Sequence, residues 1–211
     1  MSEAELSKNE IKKRKKRYAL LDSAYELFTT VGYGKTTVLQ IARRAGVGKG
    51  TFYLYFNDKA DIRDELIAVK SSQLLTHAVK ALQARPEIDN FTDQLVFITD
   101  YIITALSKDI ALLKFISKSL SWGLFKNPSE LSKRNEDVID FQKFIMEAME
   151  AEGIHLKEPL LLIYTIIELT NSTCYNVILH GEPVPFSEYK PYLYNCIRLI
   201  TNDALEEDRV E

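Results

Sequence analysis

The sequence contains few of the residues that build metal and catalytic centres: its 211 residues include two cysteines and three histidines. Cys174 and Cys196 lack metal-ligand spacing, so we expect both to be reduced and buried in a cytosolic protein. His77, His155 and His180 lie far apart and have no carboxylate or cysteine at ligand spacing. A glycine-rich phosphate loop, G-x-S-x-G and H-E-x-x-H are also absent. We therefore expect no metal, no cofactor, no catalytic residue and no enzymatic activity.

Long apolar runs are absent as well. The longest nearly continuous one, residues 160–167, is too short to span a bilayer, so we expect no membrane contact. The N-terminal residues are serine, glutamate and lysine rather than the apolar run of a signal peptide, which favours a cytoplasmic location. With 46% hydrophobic and 27% charged residues, the chain is an ordinary globular protein with enough residues for one or two cores.

Charge is unevenly distributed along the chain. Residues 1–63 carry 13 Lys and Arg against 7 Asp and Glu, a balance of +6, whereas the remainder carries −9. A basic segment joined to an acidic body indicates a protein that presents one end to a polyanion. The densest basic run, residues 12–17, either forms a solvated helix face or contacts phosphates or the minor groove.

Residues 36–56 predict two short helices joined by a tight turn. Apolar residues of the first helix follow the i, i+3, i+4, i+7 spacing of an amphipathic helix: Val38, Ile41, Ala42 and Ala45. Thr37 and Gln40 predict a capping box at its start. Gly46 predicts its end, because glycine adopts the left-handed conformation without a Cβ penalty.

The second helix is predicted over residues 48–55, with Phe52 and Phe56 facing inward. Two i, i+4 pairs then share the outward surface: Lys49 with Tyr53, and Thr51 with Tyr55. Lysine attracts phosphate, Gly50 permits close approach of the backbone, and hydroxyls bond phosphates or base edges. The alternative is an ordinary pair of core helices. Aromatic and hydroxyl side chains on the exposed face favour a DNA-binding helix-turn-helix instead.

The segments Gly32-Tyr33, Thr36-Thr37, Ile41 to Phe56 and Asn57-Asp58-Lys59 resemble the N-terminal domain of the TetR family of bacterial transcriptional regulators. The resemblance covers about residues 10–65, and the rest of the chain matches only in length and helical character. Gly48 stands where the family usually has a serine cap, a difference of a few tenths of a kcal/mol. The resemblance implies that Lys59 contacts phosphate. The predicted DNA-binding residues are Thr37, Lys49, Gly50, Thr51, Tyr53, Tyr55 and Lys59.

The predicted fold class is all-α. An N-terminal three-helix domain with the helix-turn-helix, residues 1–56, precedes a larger helical effector-binding and dimerisation domain, residues 57–211, in which residues 57–85 form a connecting helix. The first helix should continue through Leu21, Ala24, Phe28 and Val31 at helical spacing and end at Gly32. Asn57 or Asp58 should cap the connecting helix, which we expect to run to about Arg85. Further helices are predicted at about 90–107, 109–122, 128–152, 159–180 and 188–207.

Proline and glycine punctuate these later helices. Pro128 and Pro159 are predicted at first helical positions, and Gly153 and Gly181 should follow helix ends. The last helix has two alternative starts, with Ser187 as its cap or with Pro191 near its first position.

The helix at 159–180 is apolar nearly all round, which predicts burial on most sides. With the last helix, about 188–207, it is the predicted homodimer interface, as the resemblance also implies. The alternative is a monomeric core helix whose hydroxyls bond to the preceding turn.

Aromatic and polar-tipped residues of the middle helices are candidates for lining an effector pocket, although each could equally belong to the core. Glu168 is the sharpest polar candidate, and its alternative is a salt bridge at the interface rim. The predicted ligand-binding residues are Tyr101, Phe115, Trp122, Phe141, Phe144, Tyr164, Glu168, Asn171 and Tyr175. Family effectors are chemically diverse, so none is named.

The predicted function is a ligand-responsive transcriptional regulator, a repressor, that binds a palindromic double-stranded DNA operator as a homodimer and responds to a small-molecule effector. The alternative is an all-helical carrier of small molecules or lipids without DNA binding. A carrier has no use for one surface with several cationic and hydroxyl side chains, which favours the regulator. They are Lys49, Thr51, Tyr53, Tyr55 and Lys59.

Overall fold

The computed structural model describes residues 8–117, 125, 132–133, 135 and 138–205. In these residues regular secondary structure is helical, and the only bridge is an isolated antiparallel one between Leu156 and Leu205. The predicted all-α class is confirmed. Contacts divide the chain between residues 66 and 67 into two compact units. The domain boundary between residues 56 and 57 stays a prediction.

The first unit holds three helices and the beginning of a fourth. They are α1 (Lys8–Leu27), α2 (Val38–Arg44), α3 (Lys49–Tyr53) and the start of α4 (Lys59–Gln83), with a π-helical turn, Phe28–Gly32, after α1. Its core is made of side chains that these helices bury: Leu20, Leu21, Ala24, Phe28, Ile41, Ala42, Phe52, Phe56, Ile62 and Leu66. Asp58 caps α4, since its Oδ1 accepts from the backbone of Ala60 at 2.7 Å and of Asp61 at 2.8 Å.

Within the described residues, the second unit contains the rest of α4 and five further helices. They are α5 (Phe91–Lys108), α6 (Ile110–Ile116), α7 (Phe141–Glu152), α8 (Pro159–His180) and α9 (Phe186–Ala204). Helix α9 packs against α5 and α8, where Leu193 and Ile197 are fully buried. None of the described helices is long and apolar enough to cross a membrane.

Helix ends follow the predicted punctuation. Pro159 occupies a first-turn position of α8. Gly153 and Gly181 follow α7 and α8 in the left-handed conformation, with φ of 63° and 68°. Because L side chains rarely adopt such φ values, glycine is the residue suited to both positions.

The helix predicted over 128–152 begins later than expected. Helix α7 starts at Phe141, because the Asp140 carboxylate caps it by accepting from the Lys143 backbone at 3.3 Å. Just before it, the Ile139 backbone donates to Ser72 Oγ at 3.0 Å, a bond to α4 instead of to a helix of its own. Pro128 lies outside the described residues. Helix α6 confirms the start predicted at 109 and ends at Ile116, and residues 118–122 lie outside the described residues.

Both predicted starts of the last helix are wrong. Helix α9 begins at Phe186, and Pro191 lies inside it. Proline has no N–H to donate to the carbonyl four residues earlier and is tolerated best in the first turn of a helix, which is why Pro191 is expected near the start. Val31, the last apolar residue at helical spacing before Gly32, is 43% exposed. The wider π-helical turn at Phe28–Gly32 rotates Val31 away from the line of Leu21, Ala24 and Phe28.

The two thiols differ in environment. Cys174 is buried, and burial raises the pKa of its thiol to about 11 although a hydrogen bond with Thr173 opposes this. Cys196 is half-buried, so the expectation that both cysteines are buried is wrong for this one. Cys196 directly precedes the buried Ile197 on α9. Because adjacent residues of a helix point in different directions, the side chain of Cys196 is turned away from that of Ile197.

Candidate nucleic-acid interface

The turn between α2 and α3 forms as its sequence predicts. The Thr37 Oγ1 accepts from the Gln40 backbone at 3.2 Å, and the Gln40 side chain accepts from the Thr37 backbone at 2.8 Å. This confirms the capping box. Gly46 adopts a φ of 69°, and the Val47 backbone then donates to the Ala42 carbonyl at 2.9 Å to close the end of α2.

Two phenylalanines attach α3 to the core of the first unit. Phe52 and Phe56 are almost fully buried, and their ring centroids lie 5.6 Å apart. Their predicted inward orientation is confirmed. The helix is shorter than predicted, however, because it spans Lys49–Tyr53 and Leu54 is its C-cap. Tyr55 therefore follows the helix.

The outward face of α3 carries most of the predicted DNA contacts. Lys49 and Gly50 are exposed, half of the Tyr53 side chain is exposed, and Thr51 and Tyr55 are half-buried. A Cβ added to Gly50 would meet no atom within 4 Å, so packing inside the protein does not require glycine there. Gly48 is the N-cap and makes no side-chain cap bond.

Leu54 belongs to the same face, and sequence reasoning missed it. Its side chain is 78% exposed, the highest value of any large hydrophobic residue that the structure describes. Leu54 stands midway between Phe52 and Phe56 in sequence and four residues after Gly50. At helical spacing that position lies opposite the buried pair, a signal that could have identified it.

Thr37 and Lys59 have roles inside the unit. The Thr37 hydroxyl donates to Gln40 Oε1 at 2.9 Å in addition to its capping bond. The Lys59 Nζ donates to the backbone carbonyls of Tyr33 at 2.7 Å and Thr36 at 2.9 Å, and it lies 4.3 Å from the centroid of the Tyr33 ring. Because an ammonium group has three donors, two of them fix the loop that precedes α2. DNA contacts of both residues stay predictions.

The basic run at residues 12–17 divides between two environments. Lys12, Lys13, Lys15 and Lys16 are exposed, whereas Arg14 and Arg17 are partly buried. Arg17 Nε donates to Glu65 Oε1 at 2.9 Å, and a second bond makes the pair bidentate. The Glu65 side chain is fully buried. The Arg17 guanidinium also covers the Phe56 ring at 4.8 Å, so it connects α1, α4 and the segment after α3.

Two predicted ligand-binding residues line a cavity in the second unit. Phe141 and Phe144 line a space of about 100 Å³ together with residues of α4, α5 and α8. Its other lining residues are mostly apolar: Ser71, Leu74, Leu75, Leu95, Ile98, Thr99, Ile102, Ile145, Ile163, Ile166 and Ile167. Phe144 also borders a wider pocket of about 380 Å³ that Gln83, Arg85 and Glu152 flank.

The structure places the remaining ligand candidates elsewhere. Phe115 and Tyr175 pack around the apolar cluster formed by α4, α5 and α6. Asn171 donates to the Ser117 carbonyl and so caps the end of α6. Tyr164 contacts the Phe125 ring at 5.6 Å between centroids. Tyr101 and Glu168 are half-buried on α5 and α8, and Trp122 lies outside the described residues.

Helix α8 is less completely covered than its apolar composition predicts. Leu161 and Tyr164 are exposed on it, and Tyr192 and Leu199 are exposed on α9. In the single chain, these side chains leave apolar surface on each of the last two helices. Most other residues of α8 are buried or half-buried, as its apolar composition predicts. The dimer interface through α8 and α9 stays a prediction.

Comparison with known proteins places the similarity to a known family in the first unit. Residues 20–66 match the profile of the bacterial regulatory proteins, tetR family. The chain is 31% identical over 110 residues to the uncharacterized HTH-type transcriptional regulator YvdT of Bacillus subtilis, a match covering 51% of the chain and 55% of YvdT. It is 41% identical over 63 residues to the fatty acid metabolism regulator protein of the same species, covering 30% and 32%.

The chain thus spans about half the length of YvdT and a third of the fatty acid metabolism regulator. Both names describe regulators, and neither describes an enzyme. Solved structures show the fold over a greater length. Thermus thermophilus FadR, solved with lauroyl-CoA, matches with a TM-score of 0.57 and 20% identity, covering 92% of this chain and 98% of that one. Bacillus subtilis FadR with stearoyl-CoA matches with a TM-score of 0.55 and 19% identity, covering 85% and 96%.

Proposed function

We propose that this protein is a ligand-responsive, DNA-binding transcriptional regulator, a repressor, that binds a palindromic operator as a homodimer. The observation that carries the proposal is the exposed surface of α3, which presents Lys49, Gly50, Tyr53 and part of Thr51 while Phe52 is buried. It lies within the segment that matches the family profile. A protein acting on bacterial operators works in the cytoplasm, the location we propose for it.

In this proposal α3 enters the major groove while neighbouring groups hold the phosphates. Thr37 at the start of α2 and Lys59 at the start of α4 are close in sequence to the ends of this helix-turn-helix, and each side chain retains polar atoms near the surface. The exposed lysines of residues 12–16 add charge without sequence preference. Residues 1–56 would then bind DNA and residues 57–211 would bind the effector and the second subunit.

Exposed apolar side chains support a homodimer through the last two helices. Leu161 on α8 and Tyr192 and Leu199 on α9 are each more than 60% exposed in the single chain. Clusters of exposed apolar residues are typical of interaction surfaces. A second copy of the chain is expected to cover this surface, because a short recognition helix reads one half-site and a palindromic operator has two.

The cavity between α4, α5, α7 and α8 supports an apolar effector. Its walls are aliphatic and aromatic, and the buried Ser71 Oγ makes no hydrogen bond within the described residues, so a ligand with a polar atom could satisfy it. Two solved relatives contain acyl-CoA molecules, which agrees with an effector that has a long apolar part. The present 100 Å³ holds only a small group, so a larger ligand requires α7 or α8 to move.

Helix α4 provides the connection between effector and DNA in this proposal. Its residues Ser71, Leu74 and Leu75 line the cavity, and its residues Lys59 and Glu65 fix the loop before α2 and the Arg17 side chain. A ligand that displaces the middle of α4 would therefore act on the groups that position α3. Such a ligand regulates only if it binds one conformer more tightly than the other.

Selection of bound duplexes from a random pool tests the proposal. We expect enrichment of a palindrome with half-site centres about one helical turn apart. A mobility-shift titration of the enriched duplex with fatty acyl-CoA of increasing chain length then tests the effector class, with release of the DNA as the expected result. Failure to enrich any duplex would contradict the regulator and favour the helical carrier.

A further inference from the structure

The exposed face of the α3 segment contains one side chain that has no function within the protein. Leu54 projects into solvent with 78% of its surface exposed, directly after the last residue of α3. Its backbone N–H donates to the carbonyls of Thr51 and Phe52, and its φ of −75° and ψ of −17° suit any L residue. The backbone therefore needs a residue at this position but does not need a leucine.

The neighbours of Leu54 identify the surface on which it lies. Gly50, four residues earlier, is the other residue opposite the buried Phe52 and Phe56. Gly50 has no side chain, and an added Cβ would meet no atom within 4 Å. The surface is therefore open at Gly50 and apolar at Leu54. Lys49 and Tyr53 flank this surface with a cation and a phenol.

One chemical group in the major groove suits a branched apolar side chain. The C5-methyl of thymine is the apolar feature of a base edge there, whereas the other base edges present hydrogen-bond donors and acceptors. Leucine can neither donate to nor accept from a phosphate, so Leu54 would add nothing to the electrostatic part of binding. Only its contact with the thymine methyl distinguishes one base pair from another.

We propose that Leu54 is a specificity-determining residue that contacts the C5-methyl of a thymine in each operator half-site. This inference rests on the proposed DNA-binding function and adds to it a base that the operator must contain. Gly50 assists by allowing the α3 backbone to approach the base edges beside that thymine. The polar residues of the face bind the same groove without selecting for the methyl group.

Replacing thymine by deoxyuridine tests this proposal, because the exchange removes the methyl and keeps every hydrogen bond of the base. Each thymine of the selected operator is exchanged in turn, in both half-sites together, and the affinity is measured. We expect one symmetric position at which the exchange weakens binding about fourfold per half-site, the worth of one buried methyl group. A uniform response at every thymine would overturn the proposal.

The variant Leu54→Ala identifies the side chain that senses the methyl. In this variant the thymine and deoxyuridine operators should bind equally at the sensitive position, while the wild-type protein discriminates between them. Leu39→Ala is the matched control, since it removes another partly exposed leucine, on α2, and should leave the discrimination intact. Discrimination that persists in Leu54→Ala, or disappears in Leu39→Ala, would overturn the proposal.

The outcome separates this inference from the proposed function. If no duplex is enriched, the proposed function as a DNA-binding regulator is wrong. If a duplex is enriched and bound but no thymine depends on Leu54, only the methyl contact is wrong. Because Leu54 is mostly outside the core, Leu54→Ala should retain the wild-type unfolding midpoint, and the deoxyuridine series on the wild-type protein requires no variant at all.

Discussion

Gly50 makes α3 less stable than an alanine would, but it leaves the surface of the helix open. Its conformation suits an alanine and a Cβ would meet nothing, so Gly50→Ala should stabilise the protein by about 0.4–1 kcal/mol. The added methyl stands on the face that we place in the major groove, so operator affinity should fall in the same variant. Urea unfolding and a mobility-shift assay measure the two effects. Unchanged affinity would show that this backbone does not approach DNA closely.

Lys59 differs from Lys49 although both are predicted to bind phosphate. Lys59→Met removes two charge-assisted bonds to the Tyr33 and Thr36 carbonyls and should destabilise the protein by about 1–3 kcal/mol without any DNA present. The exposed Lys49 is the control, and Lys49→Met should change stability by less than about 0.5 kcal/mol while reducing the salt dependence of DNA binding. Equal unfolding midpoints for the two variants would refute the internal role of Lys59.

Local spacing predicts some of these residues and not others. The Thr37–Gln40 capping box and the inward Phe52 and Phe56 follow from helical periodicity within a few residues, and the structure confirms them. The bonds of Lys59 reach back 26 and 23 residues to carbonyls whose positions depend on the packed loop. No sequence pattern predicts such a bond, because every residue has a backbone carbonyl and the acceptor can therefore be any residue type.

At the scale of helices, the Arg17–Glu65 pair fixes α1 to α4. Removing one partner leaves a buried charge, so Arg17→Leu should cost about 3 kcal/mol. The double variant Arg17→Leu with Glu65→Leu removes both charges and should recover most of the loss. Urea midpoints of the single and double variants measure this, and a double variant less stable than Arg17→Leu would contradict the account.

A polar cluster joins α5 to α9 and makes their packing sensitive to acid. Burial raises the pKa of Asp100, but hydrogen bonds from Lys190 and Tyr194 and the charge of Lys190 outweigh it, leaving the pKa below its ordinary value of 3.8. The carboxylate therefore stabilises the fold above pH 3.8, and this contribution is lost as the pH falls through the lower, folded-state pKa.

The variant Asp100→Asn tests this dependence. At pH 7 the variant should be less stable than the wild type, because Lys190 loses its charged partner. The gap between the urea midpoints of the two proteins should narrow as the pH falls below 3.8, where the wild-type carboxylate takes up a proton. A gap of equal size at pH 7 and pH 3 would argue against a charged role for Asp100.

Helix starts were less predictable than helix ends. Glycines at 153 and 181 end α7 and α8 because their left-handed conformation is a local requirement. Helix α7 instead starts at Phe141, where the Asp140 cap coincides with a bond between the Ile139 backbone and Ser72 of a distant helix. Pro191 lies inside α9 although proline is disfavoured in a helix interior, so its presence did not locate the start of this helix.

At the scale of the whole molecule, the exposed apolar residues of α8 and α9 should form the subunit interface. Leu199→Glu places a charge there and should convert a dimer into a monomer, with a marked loss of operator affinity because two half-sites are no longer held together. Sedimentation measures the mass. Leu54→Glu, which alters another mostly exposed leucine, in the first unit, is the control and should remain dimeric.

The regulator should bind DNA with an affinity that depends on salt, whereas the carrier should not bind DNA. Affinity for the selected operator is measured between about 50 and 200 mM salt, with sedimentation to count subunits on the duplex. The account predicts two chains per operator and a logarithm of affinity that falls linearly with the logarithm of salt concentration, with a shallower slope for Lys49→Met. Absent or salt-insensitive binding would contradict a DNA-reading function for the face that contains Lys49, Gly50, Tyr53 and Leu54.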